Sequence, residues 1–207
     1  MRKLMLASCQ FPVTGNLVAN GDWILQQMKE ARRRGARLAH FSEAALSGYA
    51  VLDPPIRKER AWRRLHDQTA RIMQAAAELR LWVVLGSTHR LTGDHLPHNS
   101  LYVIDDRGKL LTRYDKVFCC GRGGARPTDD LKHYSPGSDL VTFEVSGVRL
   151  GLLICHDFRY PELYREYKRR GIDLVLHSYH NSCMTAKRFK YYEDQVRAVI
   201  PRNPGHL

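Results

Sequence analysis

Leu150-Gly151-Leu152-Leu153-Ile154-Cys155-His156-Asp157-Phe158-Arg159-Tyr160-Pro161-Glu162-Leu163 is the stretch whose reading decides the fold. Its first five residues are apolar without alternation, the pattern of a strand buried on both faces. Cys155 ends that run. Pro161 suits the first turn of a helix, Glu162 complements the helix's positive end, and Gly171 closes it. Residues 172–177 then read as one more buried strand, so strand and helix alternate here.

The alternation continues outward. Residues 3–9 read as a strand, and Asp22 is expected to cap a helix that runs to residue 34 and stops at Gly35. Residues 36–42 form a short buried strand with Glu43 at its carboxyl end. A second helix spans residues 56 or 61 to 80, with Leu65, Ile72, Met73, Ala76 and Leu79 on one face. Residues 81–87 form an apolar strand. Residues 99–104 and 110–114 pair across Asp105-Asp106-Arg107-Gly108-Lys109, which is strong turn chemistry, and Lys116 follows the second arm. Residues 119–139, rich in Gly, Pro and Asp, form a loop long enough to suggest function. Residues 140–145 and 148–154 make a second hairpin across Ser146-Gly147, and a final helix is expected over residues 186–200. The class is α/β with a mixed sheet, and residues 1–207 read as one domain.

Composition excludes several classes. No apolar run approaches the roughly 20 residues needed to span a bilayer. Gln10-Phe11-Pro12 interrupts the short apolar N-terminus, which makes it a poor signal peptide. The 5 cysteines are odd in number and lack a disulfide spacing. A reducing compartment, the cytoplasm, is the simplest expectation. Cys119 and Cys120 are adjacent, which suits one tetrahedral metal badly, and no Cys-x-x-Cys or His-x-x-x-His pairing accompanies His133, His156, His177 and His180. No metal site is expected. The formal charge of +12 raises the question of nucleic acid. The basic residues are dispersed, however. Arg32-Arg33-Arg34 and Lys168-Arg169-Arg170 fall at helix ends, where cations complement the dipole, and Arg57-Lys58-Glu59-Arg60 is interleaved with acid. No nucleic-acid partner is expected.

Glu43, Lys116 and Cys155 each follow a strand, and active sites of α/β proteins gather at strand carboxyl ends. Their chemistry is complementary: a thiol becomes a nucleophile when a base takes its proton and positive charge stabilises the thiolate. Each also has an ordinary reading. A buried cysteine is commonly inert core, a glutamate can cap a helix, and a lysine can protect a strand edge.

Three motifs, in order, tip the balance. Phe41-Ser42-Glu43-Ala44-Ala45-Leu46-Ser47-Gly48-Tyr49 resembles the glutamate segment of the nitrilase superfamily of carbon–nitrogen hydrolases. Tyr114-Asp115-Lys116-Val117 resembles its lysine motif. The segment from Leu153 to Leu163 quoted above resembles its nucleophile elbow and is the most specific of the three. The resemblance extends over residues 4–198. It implies a four-layer αββα sandwich with helices outside, a homodimer packed through helices near the nucleophile, and a Glu43, Lys116, Cys155 triad without metal or organic cofactor. The backbone amide of His156 is the expected oxyanion donor.

The resemblance also implies a second glutamate before a Pro-Gly pair, where Asp130-Leu131-Lys132-His133-Tyr134-Ser135-Pro136-Gly137 carries Asp instead. Asp130 is thus a candidate supporting residue with a side chain one methylene shorter. Tyr49, His180 and Asn181 are candidates to line the pocket. The family continues beyond an Arg-Ala motif like Arg197-Ala198, so the chain reads as C-terminally shortened. The expected function is hydrolysis of a small amide through a cysteine thioester. The alternatives are an inactive shortened homologue serving as a binding protein, and a basic nucleic-acid-binding domain.

Overall fold

Helical crossovers make the first strands parallel, and a loop followed by a tight turn makes the next ones antiparallel. In the computed structural model, which describes residues 3–121 and 130–180, one sheet runs in sequence order. It contains β1 (Leu6–Cys9), β2 (Leu38–Phe41), β3 (Trp82–His89), β4 (His98–Ile104) and β5 (Leu110–Asp115). Helices α1 (Leu17–Arg33) and α2 (Glu59–Leu79) separate the first three strands, which pair in parallel. β3, β4 and β5 pair antiparallel. The β4–β5 turn is drawn tight by Asp105, whose Oδ1 accepts from the backbone of Arg107 (3.0 Å) and Lys109 (2.8 Å).

The second sheet holds β6 (Thr142–Val145), β7 (Val148–Ile154) and β8 (Leu174–Ser178) in that order. β6 and β7 are antiparallel across Ser146 and Gly147. β7 and β8 are parallel, joined through helix α3 (Pro161–Arg169).

Burial arranges these into layers. Ile24, Met28 and Ala31 of α1, with Leu65, Ile72 and Ala76 of α2, bury one face of the first sheet through Ala39, Phe41, Val83 and Leu85. The other face presents Leu38, Val84, Leu101 and Val103 to Phe143, Leu150, Leu152, Ile154 and Leu176 of the second sheet. α3 covers the outside. A side chain at Gly151 would begin 2.6 Å from the Tyr167 ring, so only glycine lets α3 approach this closely. The Tyr167 hydroxyl donates to Leu152 O (2.6 Å) and accepts from Leu152 N (3.0 Å), fastening helix to strand. Helices, sheet, sheet, helix is the expected four-layer αββα order.

The two sheets are also pinned by a polar contact. Ser178 Oγ of β8 donates to Phe41 O (3.0 Å), so its contact with His40 Nε2 (2.7 Å) must be one it accepts. His40 therefore carries its proton on Nε2.

One expected cap is corrected. α1 begins at Leu17, where the Asn16 side chain accepts from Val18 N (3.1 Å) and Ala19 N (3.2 Å). Asp22 lies inside the helix and pairs with Arg71 of α2 at 2.9 Å. Asn20 and Gly21 are poor helix formers that disguise this first turn, and tertiary contacts explain both. Asn20 is buried with its amide on Leu46 O (3.1 Å), and Gly21 makes room for Gln68.

The helix expected over residues 186–200 lies outside the described residues. Among the described residues no helix is long and apolar enough to cross a membrane. Several basic side chains are spent locally: Arg33 and Arg34 on Glu30, Arg90 on Glu59, and Arg169 and Arg170 on Glu166.

Candidate active site

Glu43 and Lys116, on loops leaving β2 and β5, meet at the carboxyl end of the first sheet. Both are buried, each 1% exposed. The Lys116 ammonium donates to Glu43 Oε1 (2.9 Å) and to Asp130 Oδ2 (2.8 Å). Glu43 Oε1 also accepts from the Asn99 side-chain amide (2.7 Å), and Oε2 accepts from the backbone N–H of His180 (2.9 Å). Burial by itself disfavours the Lys116 ammonium. Glu43, Cys155 and Asp130 outweigh that and hold its pKa well above the usual lysine value.

Asp130 reaches Lys116 because its loop folds back against β5. It opens a 3₁₀ turn (Asp130–Lys132) and exchanges hydrogen bonds with Cys120: Asp130 N to Cys120 O at 3.0 Å, and Cys120 N to Asp130 Oδ2 at 2.8 Å. Seven residues on, Gly137 N donates to Lys116 O (2.8 Å), and a Cβ at Gly137 would begin 2.4 Å from Asp115 O. That close approach is the physical content of the Pro136-Gly137 signal. The Tyr49 hydroxyl donates to Asp130 Oδ1, so it is committed within the cluster. Its ring lies against those of Tyr134 (6.2 Å) and His180 (5.0 Å).

Cys155 follows β7 and begins a short 3₁₀ turn (Cys155–Arg159) with φ of 43°, in the left-handed region. A non-glycine residue held there stores strain of about 1–3 kcal/mol, which persists only when its surroundings enforce it. Two groups do so, one buried and one partly buried. Asp157 Oδ2 accepts from the N–H of Ile154 (2.9 Å), the residue just before the cysteine. His177 Nε2 donates to Cys155 O (3.0 Å), which fixes that imidazole's tautomer.

Burial pushes the Cys155 thiol well above the usual cysteine range. Glu43 raises it further, and Lys116 pulls the other way. Burial likewise lowers His177 to about 3 and raises Asp157 to about 6. His156 continues the 3₁₀ turn with its ring edge-on to Tyr160 at 5.7 Å, and burial and Arg159 lower its pKa.

The fold therefore gathers Glu43, Lys116, Asp130, Tyr49 and His180 into one hydrogen-bonded cluster. Cys155 is coupled electrostatically to its charges. Asn181 lies outside the described residues. Asn99, Asp157 and His177 were given no role by the sequence. Asn99 could have been suspected as a polar residue opening an otherwise apolar strand, and Asp157 as a carboxylate inside the nucleophile motif. Among the described residues no three His, Cys, Asp or Glu side chains gather as metal ligands would.

The family model described as carbon–nitrogen hydrolase matches residues 5–199. The chain belongs to the carbon–nitrogen hydrolase family. This family member is 27% identical over 179 residues to the omega-amidase NIT2 of Homo sapiens, covering 86% of this chain and 63% of that protein. It is 27% identical over 178 residues to the glutamine-dependent NAD(+) synthetase of Acinetobacter baylyi, covering 85% of this chain and 31% of that one. The chain thus spans less than two thirds of these relatives. Its fold matches a Nesterenkonia AN1 amidase of the nitrilase superfamily, with a TM-score of 0.78 at 20% identity, covering 96% of this chain and 72% of that one. In a variant of that amidase, acrylamide has added at the active-site cysteine.

Proposed function

We propose that this carbon–nitrogen hydrolase cleaves a small linear amide, with Cys155 as nucleophile, Glu43 as general base and acid, and Lys116 as the fixed positive charge. The observation that carries this reading is the buried Lys116 ammonium bonded to both Glu43 and Asp130 beside a strained cysteine. The amidase relatives support an amide as substrate.

The charges define how the thiol is activated. Two carboxylates against one ammonium leave the resting site net negative, so a free thiolate is disfavoured. Moving the thiol proton onto Glu43 leaves the site's total charge unchanged, which makes transfer during attack cheaper than prior ionisation. Among the described residues, Glu43 Oε1 already accepts two hydrogen bonds, whereas Oε2 accepts one, from His180 N. Oε2 therefore has the lone pair open for the proton.

As sulfur bonds to the amide carbon, negative charge passes to the carbonyl oxygen, where the Lys116 ammonium and the His156 backbone N–H stabilise it. The carbon–nitrogen bond then breaks, and Glu43 returns its proton to the departing ammonia or amine. Water attacks the resulting thioester while Glu43 takes a proton again. The carboxylic acid leaves and the thiol is restored. Amide and water are consumed, and acid and amine are produced.

Asp130 holds Lys116, and Tyr49 holds Asp130. His180 supports Glu43 through its backbone. His180 is assigned to the pocket wall. The family resemblance supports a homodimer through the helices near Cys155. The 4 described cysteines, all free, agree with a cytoplasmic setting.

The test is site-resolved alkylation. Iodoacetamide, itself a small amide, should label Cys155 faster than Cys9, Cys119 or Cys120 at neutral pH. Glu43→Gln and Lys116→Ala should remove the preference, as should urea. Ammonia release from an amide panel should track the labelling. Cys155 reacting no faster than in urea, with no ammonia released, would overturn the reading in favour of a non-catalytic binding role.

A further inference from the structure

Asp157 is a buried carboxylate that the chemistry above does not use. It is 0% exposed. Both of its oxygens accept hydrogen bonds, from one strand of each sheet and from the loop that follows β5. Oδ2 accepts from Ile154 N (2.9 Å), in the second sheet immediately before Cys155. Oδ2 also accepts from the Tyr114 hydroxyl (2.7 Å), two residues before Lys116 in the first sheet. Oδ1 accepts from Phe118 N (2.8 Å), two residues after Lys116. One buried side chain thus grips the backbone of the residue before the thiol and brackets the lysine on both sides.

The backbone of Cys155 adds a second restraint. Its carbonyl is held by His177 Nε2 (3.0 Å), while the N–H of the residue before it, Ile154, is held by Asp157. A residue at φ of 43° keeps that conformation only where its surroundings restrain the backbone on either side. Here the restraints come from the buried Asp157 and the partly buried His177.

We infer that Asp157 is a positioning residue that sets the distance between the Cys155 thiol and the Lys116–Glu43 pair by tying the nucleophile turn to the lysine strand. This rests on the amidase reading for the consequence in turnover, but not for the geometry. Asp157 touches no reacting atom. Its contribution is to keep Sγ within proton-transfer reach of Glu43, and a misplacement of about 1 Å in such an arrangement costs on the order of 10²-fold in rate.

The experiment compares the full chain with Asp157→Asn, which keeps the side-chain volume but presents an N–H₂ to groups that are all donors. Ile72→Ala, on the buried face of α2, serves as a control for general loss of stability. Tyr114→Phe removes one donor and spares the carboxylate, and it stands in if Asp157→Asn does not fold. Each folded variant is read three ways: thermal midpoint, the pH profile of Cys155 alkylation from pH 6 to 10, and kcat and KM on an amide that releases ammonia.

The expected result is an alkylation profile for Asp157→Asn that moves toward that of the urea-unfolded chain. kcat should fall on the order of 10²-fold while KM changes little. Tyr114→Phe should fall between wild type and Asp157→Asn, and Ile72→Ala should lose thermal stability with an unchanged profile. An Asp157→Asn or Tyr114→Phe protein with the wild-type profile and kcat overturns the positioning role and leaves the amidase reading standing. An Asp157-dependent profile in a wild-type chain that releases no ammonia keeps the positioning role and removes the amidase reading. Identical profiles in wild type, variant and urea overturn both.

Discussion

Asp130 Oδ2 stands 2.8 Å from Lys116 Nζ, at full hydrogen-bonding distance despite a side chain one methylene shorter than the glutamate this position resembles. The missing length is made up by the backbone. The bonds between Asp130 and Cys120, and between Gly137 and Lys116, draw the loop against β5.

Removing that partner should therefore cost heavily. Asp130→Ala leaves a buried ammonium with Glu43 alone, and breaking a buried pair in this way costs about 3–5 kcal/mol. Urea unfolding should show this as a lower midpoint. Asp130→Glu should also destabilise, because the loop is already closed for aspartate. A gain in stability on Asp130→Glu would contradict this account.

Asn99 should matter through Glu43 alone. Its amide donates to Oε1 at 2.7 Å, and deleting a hydrogen bond to a charged group costs about 1.5–3 kcal/mol. Asn99→Ala should lower both the unfolding midpoint and the rate of Cys155 alkylation. Preservation of both would remove Asn99 from the site.

Stability should fall as pH drops from about 6 to about 4.5. Burial holds His40 at about 4 and His177 at about 3, below the roughly 6.5 of an unfolded histidine, so the unfolded chain gains two protons there that the fold refuses. Asp157, raised to about 6, works the other way by binding one proton in the fold first. The balance is one proton in favour of unfolding, about 1.4 kcal/mol per pH unit. His89 and His156, lowered and half-buried, add in the same direction. Urea titrations at pH 6, 5.5 and 5 measure the slope, and Asp157→Asn should steepen it by removing the opposing group. A flat profile in the native chain would refute the assignment.

Gly86→Ala should damage the site from beneath. A Cβ there would begin 2.0 Å from Ser42 O and 2.7 Å from Ala44 N, on either side of Glu43. Overpacking of this kind costs about 1–3 kcal/mol or more, and it must displace Glu43 from Lys116. Circular dichroism and Cys155 labelling should show a folded chain with weakened thiol reactivity, while unchanged labelling would mean the Glu43 turn yields freely.

Much of this was legible in one dimension. The apolar run before Cys155 and the turn signals at Asp105–Lys109 are local patterns, and β7 and the β4–β5 hairpin follow from them directly. Glu43, Lys116 and Cys155 were legible because each ends a strand within a specific motif. What stayed hidden is long-range and polar. Asn99 meets Glu43 across 56 positions, and Tyr114 meets Asp157 across 43. No periodicity marks such pairs. The α1 cap was misread for the same reason: Asn20 and Gly21 weaken the helix locally, and the contacts that compensate them lie far along the chain.

Glu43 and Lys116 follow strands of one sheet and Cys155 follows a strand of the other, so no single layer contains the proposed chemistry. Its alignment depends on how two stacked surfaces mate, held by apolar contact, the His40–Ser178 pin and Asp157. Warming or hydrostatic pressure that lets those surfaces slide by a fraction of a residue would switch the protein off with every strand and helix intact. Loss of turnover should accordingly precede any spectroscopic sign of melting.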